Sequence, residues 1–136
     1  MEFLGTYTDQ ISNGKVEFPW ADNCNQELIW VVLKVIANDY TETYCEICSP
    51  QEFKRGMSER EKHIKEVEIL GKGDVIIDDD DMWQVPDAIA DYLKTDEITF
   101  VGAYHFVEIF TEESMTQYKK FFDSPNDLLN DLLGSK

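Results

Sequence analysis

The sequence is poor in positive charge. It holds 12 lysines and arginines against 28 aspartates and glutamates, a formal net charge of −16. Such a surface repels phosphates and anionic lipid headgroups at long range and favours basic partners. The deficit is uneven: residues 1–65 carry 7 basic and 11 acidic side chains, residues 66–136 carry 5 and 17. Long apolar runs are also missing. The longest, residues 28–36, is interrupted by Lys34 and is about half the length of a membrane span, so no membrane association is expected. Met1-Glu2-Phe3 is acidic and offers no basic segment, so no signal peptide is expected and the cytoplasm is the expected location. Three cysteines do not make the paired framework of a secreted disulfide domain. No glycine-rich phosphate loop, nucleophile motif or paired-acid motif is present, so neither an enzyme nor a cofactor is expected.

What is present is enough for a core. The chain is 43% hydrophobic and 12% aromatic, which argues against disorder. Residues 3–11 read as a strand. Asn13-Gly14 follows, a strong hairpin signal, and Lys15-Val16-Glu17-Phe18 reads as the return strand, ended by Pro19. Residues 28–36 are β-branched and nearly continuous, as a buried strand would be, and residues 44–48 read as the next strand. Ser49-Pro50-Gln51-Glu52 has the spacing of a helix start. The helix should carry Phe53 inward, and the charged residues 58–65 continue as helix or linker.

Residues 66–77 are strand-like, with a turn expected at Gly71-Lys72-Gly73-Asp74. An acidic turn follows at Asp78-Asp79-Asp80-Asp81, then Met82-Trp83-Gln84-Val85. Pro86 or Asp87 should open a short helix with Ala88, Ile89, Tyr92 and Leu93 on one face. Residues 98–102 and 105–110 read as two strands. Thr111-Glu112-Glu113 opens a further helix, and Leu128, Leu129, Leu132 and Leu133 form a stripe on a last one, docking on the protein's own body or on a partner.

The two halves repeat. Val16-Glu17-Phe18-Pro19 answers Trp83-Gln84-Val85-Pro86, and Tyr44-Cys45-Glu46-Ile47-Cys48 answers Phe106-Val107-Glu108-Ile109-Phe110, each ending at a helix cap. Each half is too small to bury its own hairpin, so the two should interlock. The expected fold class is α+β, mainly β, as a single domain. Residues 1–65 form the first unit, 66–122 the second, and 123–136 a helical tail.

Cys45 and Cys48 have zinc-knuckle spacing, with Cys24 and His63 as the conceivable completion. Residues three apart on a strand point to opposite faces, so two buried or edge cysteines and no metal are expected. The four contiguous aspartates lack the spaced ligands of a calcium loop and read as a solvated turn. His105, alone on a predicted strand, reads as structural.

The segments Phe3-Leu4-Gly5-Thr6-Tyr7, Gly14-Lys15-Val16-Glu17-Phe18-Pro19, and Phe100-Val101-Gly102 followed by Val107-Glu108-Ile109-Phe110 resemble the MraZ family, relatives of the AbrB swapped-hairpin proteins. The resemblance covers most of residues 1–122. It implies two pseudo-repeated strand–helix units forming a swapped-hairpin barrel with flanking helices, assembled into a ring. It also implies a bacterial transcriptional regulator that binds repeated DNA boxes upstream of a cell-division and cell-wall gene cluster. The family's motif is an aspartate four residues before a DNA-facing arginine at each hairpin. Here those positions hold Ile11 and Lys15 in the first copy, Asp78 and Met82 in the second. Neither arginine is kept, and a lysine cannot fork onto guanine or phosphate. The expected function is therefore a non-enzymatic, MraZ-like regulatory or interaction oligomer with weakened or lost DNA binding, its acidic face open to a basic protein. The alternative is a working DNA-binding regulator of the MraZ type, using Lys15 and Lys72 repeated around a ring. The residues expected to contact DNA or a partner are Asn13, Gly14, Lys15, Asp78, Asp79, Asp80, Asp81 and Met82.

Overall fold

A computed structural model describes residues 3–23, 27–36, 41–63 and 66–111. Its elements are β1 (Thr6–Gln10), β2 (Lys15–Glu17), a 3-10 turn (Ala21–Asn23), β3 (Ile29–Ile36), β4 (Thr41–Cys48), α1 (Pro50–His63), β5 (Glu66–Asp74), β6 (Met82–Gln84), α2 (Asp87–Leu93), β7 (Glu97–Gly102) and β8 (Phe106–Phe110). The class is mainly β with two helices among the described residues. No helix among them is long and apolar enough to cross a membrane.

The strands form an antiparallel six-stranded sheet in the order β1-β7-β8-β4-β3-β5 and a two-stranded ribbon, β2-β6. The six-stranded order is a palindrome. Exchanging β1 with β5, β3 with β7 and β4 with β8 returns the same sheet read backwards, and exchanging β2 with β6 returns the ribbon. One row of paired residues shows the symmetry side chain by side chain. It runs Lys72, Val31, Glu46, Glu108, Val101, Thr6, so valine answers valine and glutamate answers glutamate about the centre.

The turn at Asn13-Gly14 forms as the sequence predicts, with Ser12 and Lys15 exchanging N–H···O bonds of 2.9 and 3.0 Å. Both central residues take positive φ, 55° and 76°. The return strand does not pair with the strand that led into it. β1 runs beside β7 and β2 beside β6, so each half places strands against the other half.

Alternation sorts the side chains onto two faces. One face of the sheet supplies Val32, Cys45, Ile47, Ile98, Phe100, Val107 and Ile109 to a core closed by Val16, Phe18, Trp83 and Val85 of the ribbon region and by Ile89 and Leu93 of α2. With Phe3, Trp20 and Leu28 this core has sixteen buried residues, among them an aromatic cluster in which Phe18, Trp20, Trp83 and Phe100 meet at centroid distances of 5.9–6.3 Å. The opposite face carries Ile29, Val31, Leu33 and Cys48 against Phe53 and Met57 of α1. That helix starts as its sequence requires: Ser49 Oγ accepts the Glu52 N–H at 3.1 Å. The residues expected to face inward on α2 do so; Ile89 and Leu93 are buried, and Ala88 and Tyr92 pack against them.

Two expectations are corrected. Gly71-Lys72-Gly73-Asp74 is not a turn. It continues β5, paired with residues 29–32 of β3. The glycines are there for the indole of Trp30. A Cβ on Gly71 would lie 2.8 Å from Ala88 Cβ and 3.0 Å from the Trp30 ring, and one on Gly73 would lie 2.8 Å from Trp30 Nε1. His105 lies in the turn between β7 and β8 rather than on a strand, its ring edge-on to Tyr104 at 5.5 Å. The second-copy helix after Thr111, the tail and the leucine stripe at 128, 129, 132 and 133 lie outside the described residues.

Candidate partner-binding ribbon

The residues singled out at the two turns converge on one small structure, the β2-β6 ribbon. In register, Lys15 pairs with Gln84, Val16 with Trp83 and Glu17 with Met82. Val16 and Trp83 point into the core. Lys15, Glu17 and Gln84 are exposed and Met82 is half-buried, which is the outward side of a two-residue alternation. The strands are locked by a matching pair of bonds, Val85 N–H to Gly14 C=O and Phe18 N–H to Asp81 C=O, both 2.9 Å.

The turns differ in a way their residues explain. Asn13-Gly14 is a two-residue loop. Asp79-Asp80-Asp81 is a three-residue loop closed by Asp78 N–H to Met82 C=O at 2.9 Å, with Asp81 in the left-handed region at φ 63°. Asp78 organises this second loop. Its Oδ1 accepts the Asp80 N–H at 2.9 Å and the Met82 N–H at 3.0 Å. Its Oδ2 lies 3.5 Å from Lys15 Nζ, a side chain of the other half. The carboxyl is held below the usual carboxylate range, first by the Met82 amide, then by the Asp80 amide and the Lys15 charge. At the equivalent place in the first copy stands Ile11, which packs against the core and offers no oxygen.

Charge on this surface runs against nucleic acid. Over the ribbon and its two turns Lys15 is the single basic side chain, set against Glu17, Asp78, Asp79, Asp80 and Asp81. The exposed Lys15–Asp78 pair adds little to stability in water, but it commits the one basic side chain of the ribbon to an internal partner. Glu17 and Gln84 were not singled out by sequence. The alternation of residues 15 and 17 against 82 and 84 carried that signal.

The other candidates fall elsewhere. Lys72 aligns with Val31 and holds its ammonium 5.0 Å over the Phe53 ring, on the α1 side of the sheet and away from the ribbon. Cys45 and Cys48 are not in a disulfide and are buried on opposite faces of β4, one in each core, as their spacing predicts. Burial pushes the Cys45 thiol far up, with the Glu46 charge adding to it. Cys24 and the His63 side chain lie outside the described residues; among those described, no group of histidine, cysteine or acidic side chains has metal-binding geometry. No protein-family model matches the chain, and no curated protein matches it.

Proposed function

We propose that this chain is a divergent MraZ-like protein with a swapped-hairpin barrel, acting as a non-enzymatic regulatory or interaction protein rather than as a DNA reader. The exchange of strands between two equivalent halves supports the barrel. The capping of its turn by Asp78, at the family's aspartate position, supports the likeness. The observation that carries the functional reading is the Lys15–Asp78 pair. The one basic side chain of the ribbon is matched to a carboxylate and stands among four more. A DNA-reading surface needs several phosphate contacts from Lys or Arg, plus forked contacts to base edges. The ribbon supplies neither. Its charge suits a basic protein surface.

A gel-shift titration against DNA upstream of the protein's own gene tests this. The expected result is no competitor-resistant shift at physiological salt. Tight, competitor-resistant binding that weakens steeply between about 50 and 200 mM salt would establish the DNA-binding alternative instead. The gain-of-function arm introduces Lys15→Arg and Met82→Arg and neutralises Asp79, Asp80 and Asp81 as asparagines. These changes are expected to create salt-dependent binding that the parent lacks.

A further inference from the structure

We propose that the free edge of β1 pairs antiparallel with β1 of a second copy, about a two-fold axis passing beside Tyr7. The inference stands on strand geometry and does not depend on the reading of the ribbon.

Among the described residues the sheet has two edges, β1 and β5, and they are not equally open. β5 is guarded. It carries Glu66, Glu68, Lys72 and Asp74, and its register slips opposite Val32 and Leu33, leaving Leu70 as an extra residue. Charges and bulges of this kind stop an edge from recruiting another strand. β1 has neither device. It keeps one unbroken register with β7 over five residues, holds a single charged side chain, and every residue in it is exposed.

The phase of the β1-β7 ladder tells which backbone groups face out. Phe3 bonds to Tyr104, Gly102 N–H to Gly5 C=O, and Ile11 N–H to Asp96 C=O. Odd-numbered residues therefore face β7, and even-numbered ones face away. The outward row is closed at both ends. The Leu4 carbonyl accepts Trp20 Nε1–H at 3.1 Å, and the Gln10 N–H is taken by Asp9 Oδ1 at 2.8 Å. Between these stops, the N–H and C=O of Thr6 and of Thr8 point outward. Two donors and two acceptors in this order are self-complementary. Setting Thr6 of one copy opposite Thr8 of the other forms four N–H···O=C bonds and uses the whole window.

That register fixes the side chains too. Tyr7 meets its own image across the axis as a non-hydrogen-bonded pair, the closer of the two pair types. Tyr7 is 45% exposed and its ring rests edge-on against Trp20 at 5.2 Å, so the contact would extend the aromatic cluster of the core. Asp9 falls opposite Gly5 of the other copy, so the two like charges are kept apart. On a chain of net charge −16, this low-charge edge is where two copies can approach.

One five-residue strand paired with its own copy makes a small contact, for which a dissociation constant between about 1 µM and 1 mM is expected. Sedimentation equilibrium of the full chain over that range should show a monomer–dimer equilibrium. Association should tighten as salt rises, because screening relieves the repulsion between acidic copies. Thr8→Pro removes an outward N–H and keeps the backbone bonds to β7, losing there only the 2.9 Å contact between the Thr8 and Thr99 hydroxyls, and should leave a folded monomer. Tyr7→Cys in a Cys24→Ser background should form an intermolecular disulfide on mild oxidation, whereas Asp9→Cys in the same background should not. A monomer throughout the range, or a larger assembly whose mass Thr8→Pro leaves unchanged, overturns the proposal. Should Thr8→Pro unfold the chain, the cross-linking pair decides: a disulfide at position 9 as readily as at 7, or at neither, rejects the register.

Discussion

Lys15 and Asp78, 63 positions apart, hold their ammonium and carboxylate 3.5 Å from each other across the ribbon that joins the two halves. The same carboxylate closes its own loop through the Met82 and Asp80 amides. Asp78 therefore serves local turn geometry and inter-half contact at once, while Lys15 serves only the second. Their removal should differ accordingly.

The pH dependence follows from the depressed carboxyl of Asp78. A group whose folded pKa lies below its unfolded value, about 3.9, stabilises the fold above that value. The contribution is lost as pH falls through the folded pKa. Thermal melts from neutral pH downward should show Asp78→Asn less stable than the parent at neutral pH. The gap should begin to narrow near pH 4 and close only once the pH has fallen through the depressed folded value, where the parent has lost the same charge. Lys15→Met should show a smaller loss, since it leaves both amide bonds in place. An equal loss in the two variants would mean that the ion pair, not the turn, is what Asp78 provides.

Trp83 sits where the halves meet. It pairs with Val16, is 1% exposed, and touches Phe18 and Phe100 at 6.3 Å. Trp83→Ala should cost about 3–5 kcal/mol in urea unfolding, because the indole leaves a cavity its neighbours cannot fill. Ile76→Ala, at a residue 74% exposed, should stay within about 0.5 kcal/mol. Because β1 and β2 pair with strands of the other half, unfolding should be one transition. Two resolved transitions in the parent would mean that the halves fold separately.

Local turn chemistry was readable and its consequences were not. Asn13-Gly14 announces a reversal, since both residues must take positive φ, and the reversal is there. Nothing within residues 6–17 says that β1 will pair with β7, because partner choice is settled by apolar surface that lies 87–95 positions further along the chain. The repeat supplied that information only as an expectation that the halves interlock. Gly71 and Gly73 show the opposite failure. Glycine as turn-former and glycine as room for a neighbour look alike in one dimension, and the neighbour, Trp30, is forty residues upstream. In the ribbon, Lys15 and Asp78 were both legible as motif positions, but their contact with each other was not.

The glycine reading gives its own test. Gly71→Ala forces a Cβ to within 2.8 Å of Ala88 Cβ. The expected loss is about 1–3 kcal/mol, typical of overpacking. Ala88→Gly relieves that clash, although glycine inside α2 itself costs about 1 kcal/mol. The double variant should therefore lose less than the two single losses added together. Simple additivity would show that Gly71 is kept for some reason other than α2.

Cys45 decides between burial and metal chemistry for the pair at 45 and 48. Zinc and alkylating reagents both require the thiolate. The Cys45 thiol is 1% exposed, and burial pushes its pKa far above that of a free thiol, so the thiolate is suppressed at any working pH. Cys48 is 2% exposed on the other face of the strand, where the two sulfurs cannot share one tetrahedral ion. Iodoacetamide at pH 8 should leave both unmodified in the folded protein and label both in denaturant, as read by peptide mass mapping. Added chelator should not alter the native result. Labelling of Cys45 that appears only after chelation would show that a metal, and not the core, protects it.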